Sequence, residues 1–166
     1  MIVQAPDPAL LQVCRKVDLP AGLAEARDVA EDLRREMRES ERRAAGLAAP
    51  QIGSDLRIFC LAGHAHAFIN PTIIRASRER MTQVEGCLSL PEHVRIKVER
   101  PIAVQIQAWT ERGSKRILTL DGSKARAFQH ELDHLNGILI INYDPRVAAA
   151  RDGCRTCHRP WDECEC

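Results

Sequence analysis

Between residues 56 and 120 the chain offers one short strand signal after another with no helical period among them, and this limits its fold more than any other feature. Strands are expected at 56–61, 67–69, 73–76, 94–98, 102–109 and 115–120. In the run 102–109, Ile102, Val104, Ile106 and Ala108 alternate with Ala103, Gln105, Gln107 and Trp109, so one sheet face packs and the other is wet. Before this block, Ala26, Val29, Leu33 and Met37 recur at spacings of three and four, which predicts an N-terminal surface helix over 23–44. Pro50, with Gly46 and Gly53, breaks it into a loop over 46–53. After the block, Asp121-Gly-Ser123 offers cap oxygens for a second helix over 123–136 that stops at Gly137, and a last strand is expected at 138–142. Strands gathered in the middle and flanked by helices predict an α+β fold, mostly antiparallel sheet around the second helix.

The chain has 166 residues, 45% of them hydrophobic, which lets one domain bury a core without disulfides. A formal charge of +1 with both signs interspersed gives no field for nucleic acid or an anionic membrane. No apolar run approaches the roughly 18–20 residues that span a bilayer, and residues 1–13 lack a basic stretch followed by an apolar one. A cytoplasmic protein without direct nucleic-acid or membrane partners is expected. Seven cysteines, an odd number, suit metal or thiol chemistry better than disulfides. Cys14 and Cys60 sit among apolar neighbours and read as small buried hydrophobes.

His130-Glu-Leu-Asp-His134 carries the strongest local chemistry: residues four apart share a helix face, so two imidazoles there can grip one cation while Glu131 lies beside it. Such a short pattern also arises on an ordinary solvated helix face. A catalytic zinc-type site takes three protein ligands and leaves a position for water. Cys87, after a glycine and between expected strands, is the candidate for the third, its alternative being another small core residue.

Gly46-Leu-Ala-Ala-Pro-Gln51, Glu85-Gly-Cys-Leu-Ser89 and Gln129-His-Glu-Leu-Asp-His134, in that order, closely resemble the three signature motifs of the peptide deformylases. The similarity extends to Pro6-Asp-Pro8, Phe68-Ile-Asn-Pro71 and His134-Leu-Asn-Gly137, so it covers residues 1–143. The resemblance implies a catalytic domain over 1–143 in which Cys87, His130 and His134 hold one divalent metal. Fe(II) is the usual native ion, and Zn(II), Ni(II) or Co(II) could occupy the same donors. The implied reaction is hydrolysis of the N-terminal formyl group of formylmethionyl nascent peptides, releasing formate; a setting close to the ribosome stays open, since the C-terminal helix through which many members contact it is not carried over onto the cysteine-rich end of this sequence. Glu131 would be the general base, the Gln51 amide and the Leu88 N–H the oxyanion donors, and Gly46 and Leu88 the docking points for the peptide. Arg126 could line the methionine pocket with its methylene stem while its guanidinium reaches water, or simply be an exposed helix arginine.

Other positions stay open. Gln51 could cap its Pro-containing loop. Glu85 or Asp133 could orient a ligating histidine, or Glu85 could pair with an arginine such as Arg100; structural roles are the favoured reading of both acids. Where the family usually has a glycine, two residues before Gly46, this chain has Ala44, so either the backbone stays in an ordinary region or the groove differs. Residues 144–166 read as a cysteine-rich appendix, in which Cys154, Cys157, Cys164 and Cys166 could close a structural zinc knuckle, remain a reduced tail or form a redox pair. Two rival classes remain: a zinc metallopeptidase whose third ligand is not Cys87, and a metal-binding interaction module with a structural helix site.

Overall fold

The computed structural model describes residues 1–145 and 147. Helix α1 (Leu23–Glu39) lays Ala26, Ala30 and Leu33 on the core. Seven strands follow: β1 (Gly46–Ala48), β2 (Ile58–Leu61), β3 (Phe68–Ala76), β4 (Arg80–Glu85), β5 (Ile96–Pro101), β6 (Ala103–Trp109) and β7 (Lys115–Asp121). Helix α2 (Gly122–Leu135) comes next. The strands form an antiparallel five-stranded sheet, β1-β2-β3-β6-β7, and a separate β4-β5 ribbon, as the α+β reading expects. Helix α2 touches both sheets and so fixes their relative position. Its Phe128 meets Phe59 and Phe68 edge-on, with ring centroids 5.0 and 5.4 Å away. Burying each such ring contributes about 1.5–3 kcal/mol.

In β6 the alternation holds, with Val104, Ile106 and Ala108 buried. Four local features differ from the sequence reading, one of them a strand it did not expect. First, the stretch 46–53 is not all loop: Gly46, Leu47 and Ala48 pair with Leu61, Cys60 and Phe59, and a 3-10 turn, Ala49–Ile52, follows. Second, the runs at 67–69 and 73–76 are one strand whose register slips between Ile69 and Thr72 and again between Ile73 and Arg75. Asn70 takes φ 50° there and fixes the irregularity by clamping the Val17 N–H and C=O at 2.9 Å each. Third, β4 lacks an apolar signal because Arg80 to Val84 are all exposed, and its pairing with β5 comes from backbone bonds. Fourth, 138–142 is no strand, since Ile140–Tyr143 is a 3-10 turn closed by the Asn142 side chain accepting from the Leu139 N–H at 2.8 Å.

Helix α1 also ends earlier than its periodicity suggests, at Glu39: Ser40 takes extended backbone angles and its hydroxyl donates to the Arg42 carbonyl. Gly137 ends α2 at φ 70°, where a Cβ would lie 2.5 Å from the Leu11 carbonyl oxygen. Cys14 and Cys60 are buried free thiols whose pKa values burial pushes up to about 11 and about 12, which suits inert packing. No helix among the described residues is long and apolar enough to cross a membrane. The cysteine set Cys154, Cys157, Cys164 and Cys166 lies outside the described residues.

Candidate metal centre

The i, i+4 spacing on α2 brings the His130 and His134 rings to 5.1 Å between centroids. The loop after β4 delivers Cys87 to the same point, with its Sγ 3.3 Å from His134 Nε2. One donor atom each from Cys87, His130 and His134 lies within 4.8 Å of the other two. A buried thiol and two imidazoles form a donor set that suits Fe, Zn, Ni or Co and disfavours Mg or Ca, which prefer oxygen. The rival that draws its third ligand from elsewhere loses its premise, since Cys87 is one of the three.

Glu85 at the end of β4 orients this cluster. Its Oε2 is 2.9 Å from His130 Nδ1, leaving Nε2 of that ring for an ion. The same carboxylate receives Arg100 Nε and Nη2 at 2.7 and 2.9 Å, while Arg100 Nη1 reaches Asp133 at 2.8 Å. Glu85 therefore fills both readings open in the sequence, whereas Asp133 serves Arg100 and the Tyr143 hydroxyl. Burial pushes the Glu85 carboxyl up, but hydrogen bonds from His130 and Arg100 outweigh it and hold the pKa at about 2. Burial equally disfavours a charged His130, yet the Cys87 sulfur and the Glu85 carboxylate raise it to about 10. His134, fully buried beside it, is shifted the other way: burial, and then the charges of His130 and Arg100, hold its pKa well below the ordinary value, so that ring stays neutral and free to ligate.

Glu131 lies between the cluster and β1. Burial raises its pKa to about 7, and its Oε2 is buried without a hydrogen-bond partner among the described residues. Gln51 is oriented by the Ala48 N–H, which donates to its Oε1 at 2.9 Å and turns the amide Nε2 towards Ser89 Oγ (3.1 Å) and Cys87 Sγ (3.7 Å). The Leu88 N–H donates to no group among the described residues. Gly46, Gln51, Leu88, Arg126 and Glu131 all border a cleft of about 670 Å³ over the cluster. The Arg126 guanidinium does not reach out to water: Glu85 and the Val98 and Met81 carbonyls bind it, because β4 and β5 pass beside this turn of α2. Ala44 is absent from the residues with positive φ, so its backbone stays in an ordinary region.

Two contributors carry no sequence signal of their own. Ser89 is fully buried and holds the Gln51 amide. Arg42 donates to the Cys87 and Leu90 carbonyls at 3.1 and 3.0 Å, stapling the Cys87 loop to the segment before β1. Ser89 at least falls inside a recognisable motif; Arg42 sits in a charged run like any solvated one.

Gly46 explains its own identity, since a Cβ there would stand 2.7 Å from both Cγ and Oε1 of Glu131 and 2.8 Å from Leu61. Gly46→Ala is expected to lower kcat by about 10- to 100-fold by displacing that carboxyl, with metal content kept. An unchanged kcat in the metal-loaded variant would show that the carboxyl has slack.

Three protein donors around one point, with room above them for water and a carboxyl that titrates near neutrality, define a mononuclear metal-dependent hydrolase. The polypeptide deformylase family model matches residues 1–149. The peptide deformylase of Treponema pallidum (strain Nichols) is 46% identical over 99 residues, 58% of this chain, and the match spans 60% of that relative's length. That of Rhizobium meliloti is 36% identical over 149 residues, 86% of this chain and 83% of its own. The crystal structure of the Thermotoga maritima peptide deformylase matches with a TM-score of 0.78 at 34% identity, over 86% of this chain and 95% of that one. The Plasmodium falciparum peptide deformylase in complex with an inhibitor gives 0.77 at 37% identity, over 86% and 87%. The chain belongs to the peptide deformylase family, metal-dependent hydrolases that remove the N-formyl group from nascent peptides.

Proposed function

We propose that this chain hydrolyses the N-terminal formamide of formylmethionyl nascent peptides to formate and a free amine, in the cytoplasm and close to the ribosome. The observation that carries the reading is the meeting of Cys87, His130 and His134 beneath a cleft where the Glu131 carboxyl is left without a partner among the described residues. Cys87, His130 and His134 would hold the metal, Fe(II) natively, with Zn(II), Ni(II) and Co(II) compatible with the same donors. When bound, such an ion lowers the pKa of water from about 16 towards about 7.

Glu131 takes the proton of the attacking water and returns it to the departing amine, a role that its pKa of about 7 suits. The amide of Gln51, turned inward by Ala48, and the N–H of Leu88 donate to the oxygen of the formyl carbon as it becomes an oxyanion. Strand β1 is an edge of its sheet, so an extended peptide can add beside Gly46 through main-chain hydrogen bonds. Leu88 and the stem of Arg126 wall the space for the methionine side chain.

Formate release from a formyl-Met peptide by the anaerobically iron-loaded protein tests the reading. Steady turnover is expected. A loaded protein that releases no formate would overturn it.

A further inference from the structure

The cleft continues past the metal cluster. Beside residues 43–45 it opens into a second hollow of about 390 Å³, bordered by Arg43, His64, Ser123 and Lys124. Arg43, Ala44, Ala45, Ser123 and Ala127 line both spaces, so the two are contiguous. Their electrostatics differ. Arginines and glutamates both line the main cleft, whereas the second hollow has no carboxylate in its lining.

The cations there are unspent. Neither Arg43 nor Lys124 forms an ion pair among the described residues, and the His64 Nε2 is buried without a hydrogen-bond partner. Burial, and then the charge of Lys124, holds the His64 pKa below its ordinary value. The first turn of α2, which supplies Ser123 and Lys124, contains no acidic residue, and Asp121 makes no side-chain cap. The Gly122 N–H donates to the Ile102 carbonyl at 2.9 Å, and the N–H groups after it in the turn add to the same positive potential.

The hollow also lies where a peptide would run. The reacting end belongs near Gly46 and Gln51, since these touch Glu131 and Cys87 respectively. A strand added along β1 and leading away from that end passes Ala45, then Ala44, then Arg43. Ser123 and Lys124 of α2 border the hollow that this stretch also lines.

We infer that this hollow binds the side-chain carboxylate of an Asp or Glu downstream of the formylated residue, making the chain selective for acidic early sequence in its substrates. The inference rests on the deformylase reading and adds a specificity subsite to it. The probes are formyl-Met tetrapeptide amides carrying Asp or Asn at the second, third or fourth position; the amide removes the peptide's own terminal carboxylate. With the metal-loaded full chain at low ionic strength, Asp is expected to exceed Asn about fivefold in kcat/KM at one of these positions, through KM. The ratio should fall towards one in Arg43→Gln and Lys124→Gln and with added salt, and each variant's rate on the Asn peptide reports that it is folded. Equal kcat/KM for Asp and Asn at all positions would overturn the subsite. If no peptide is hydrolysed, the deformylase reading falls instead, and calorimetric binding of the same Asp and Asn peptides still decides the subsite, equal affinities overturning it.

Discussion

Replacing Arg100 by methionine is expected to destabilise the protein by about 3–5 kcal/mol, the usual result of removing one partner from a buried charge network. Arg100 is 3% exposed and forms ion pairs with both Glu85 and Asp133. Its guanidinium gives Glu85 two donors in fork geometry and stacks 5.2 Å from the Tyr143 ring centroid. Without it Glu85 keeps Arg126 and His130, while Asp133 keeps only the Tyr143 hydroxyl among the described residues. Two carboxyls in poorly solvated surroundings would then lose their main counter-charge. Denaturant titration of the metal-free protein measures the loss directly. Arg100→Met paired with Asp133→Asn should recover part of it, because the second change removes one stranded charge. A single variant within 1 kcal/mol of the parent, about the worth of an exposed ion pair, would show that water reaches the network and that these groups are not a buried unit.

How much of this was legible in the sequence depends on whether the determining contact is local. His130 and His134 could be placed together because helical spacing alone sets them on one face, and the β6 alternation fixed which side of the sheet is packed. Cys87 was the candidate third ligand from its place after a glycine between strands and from the motif resemblance, but its surroundings alone left the core alternative open, because the loop thiol meets the imidazoles only through the long-range packing of α2 against both sheets. The same holds for Arg42, whose role depends on a long-range contact with the Cys87 carbonyl. Strand β4 was invisible because its exposed side chains carry no burial period, and the expected strand at 138–142 failed because one side-chain hydrogen bond to Asn142 closes a turn instead. Arg126 shows a subtler miss. The residue borders the cleft, but sequence has no means of showing that two carbonyls of the β4-β5 ribbon and Glu85 wait for its guanidinium.

Glu131→Gln is expected to lower kcat by about 10²- to 10⁴-fold while leaving metal content unchanged. The two effects separate because the three donor atoms come from Cys87, His130 and His134, and the Glu131 carboxyl is not among them. Glutamine keeps the length and volume of the side chain, so the crowding at Gly46, where a single added carbon would collide with Oε1, is preserved. What it loses is the ability to accept a proton and give it back. An amide cannot titrate near pH 7, whereas burial holds the native carboxyl at about that value. The proposed docking along β1 and the proposed Gln51 and Leu88 donors are untouched by the change, so KM should move little while kcat falls. Metal analysis of the purified variant and formate release from a formyl-Met peptide give both numbers from one preparation. A metal-replete variant retaining more than about a tenth of the parent rate would remove Glu131 as the base and pass the proton to another group.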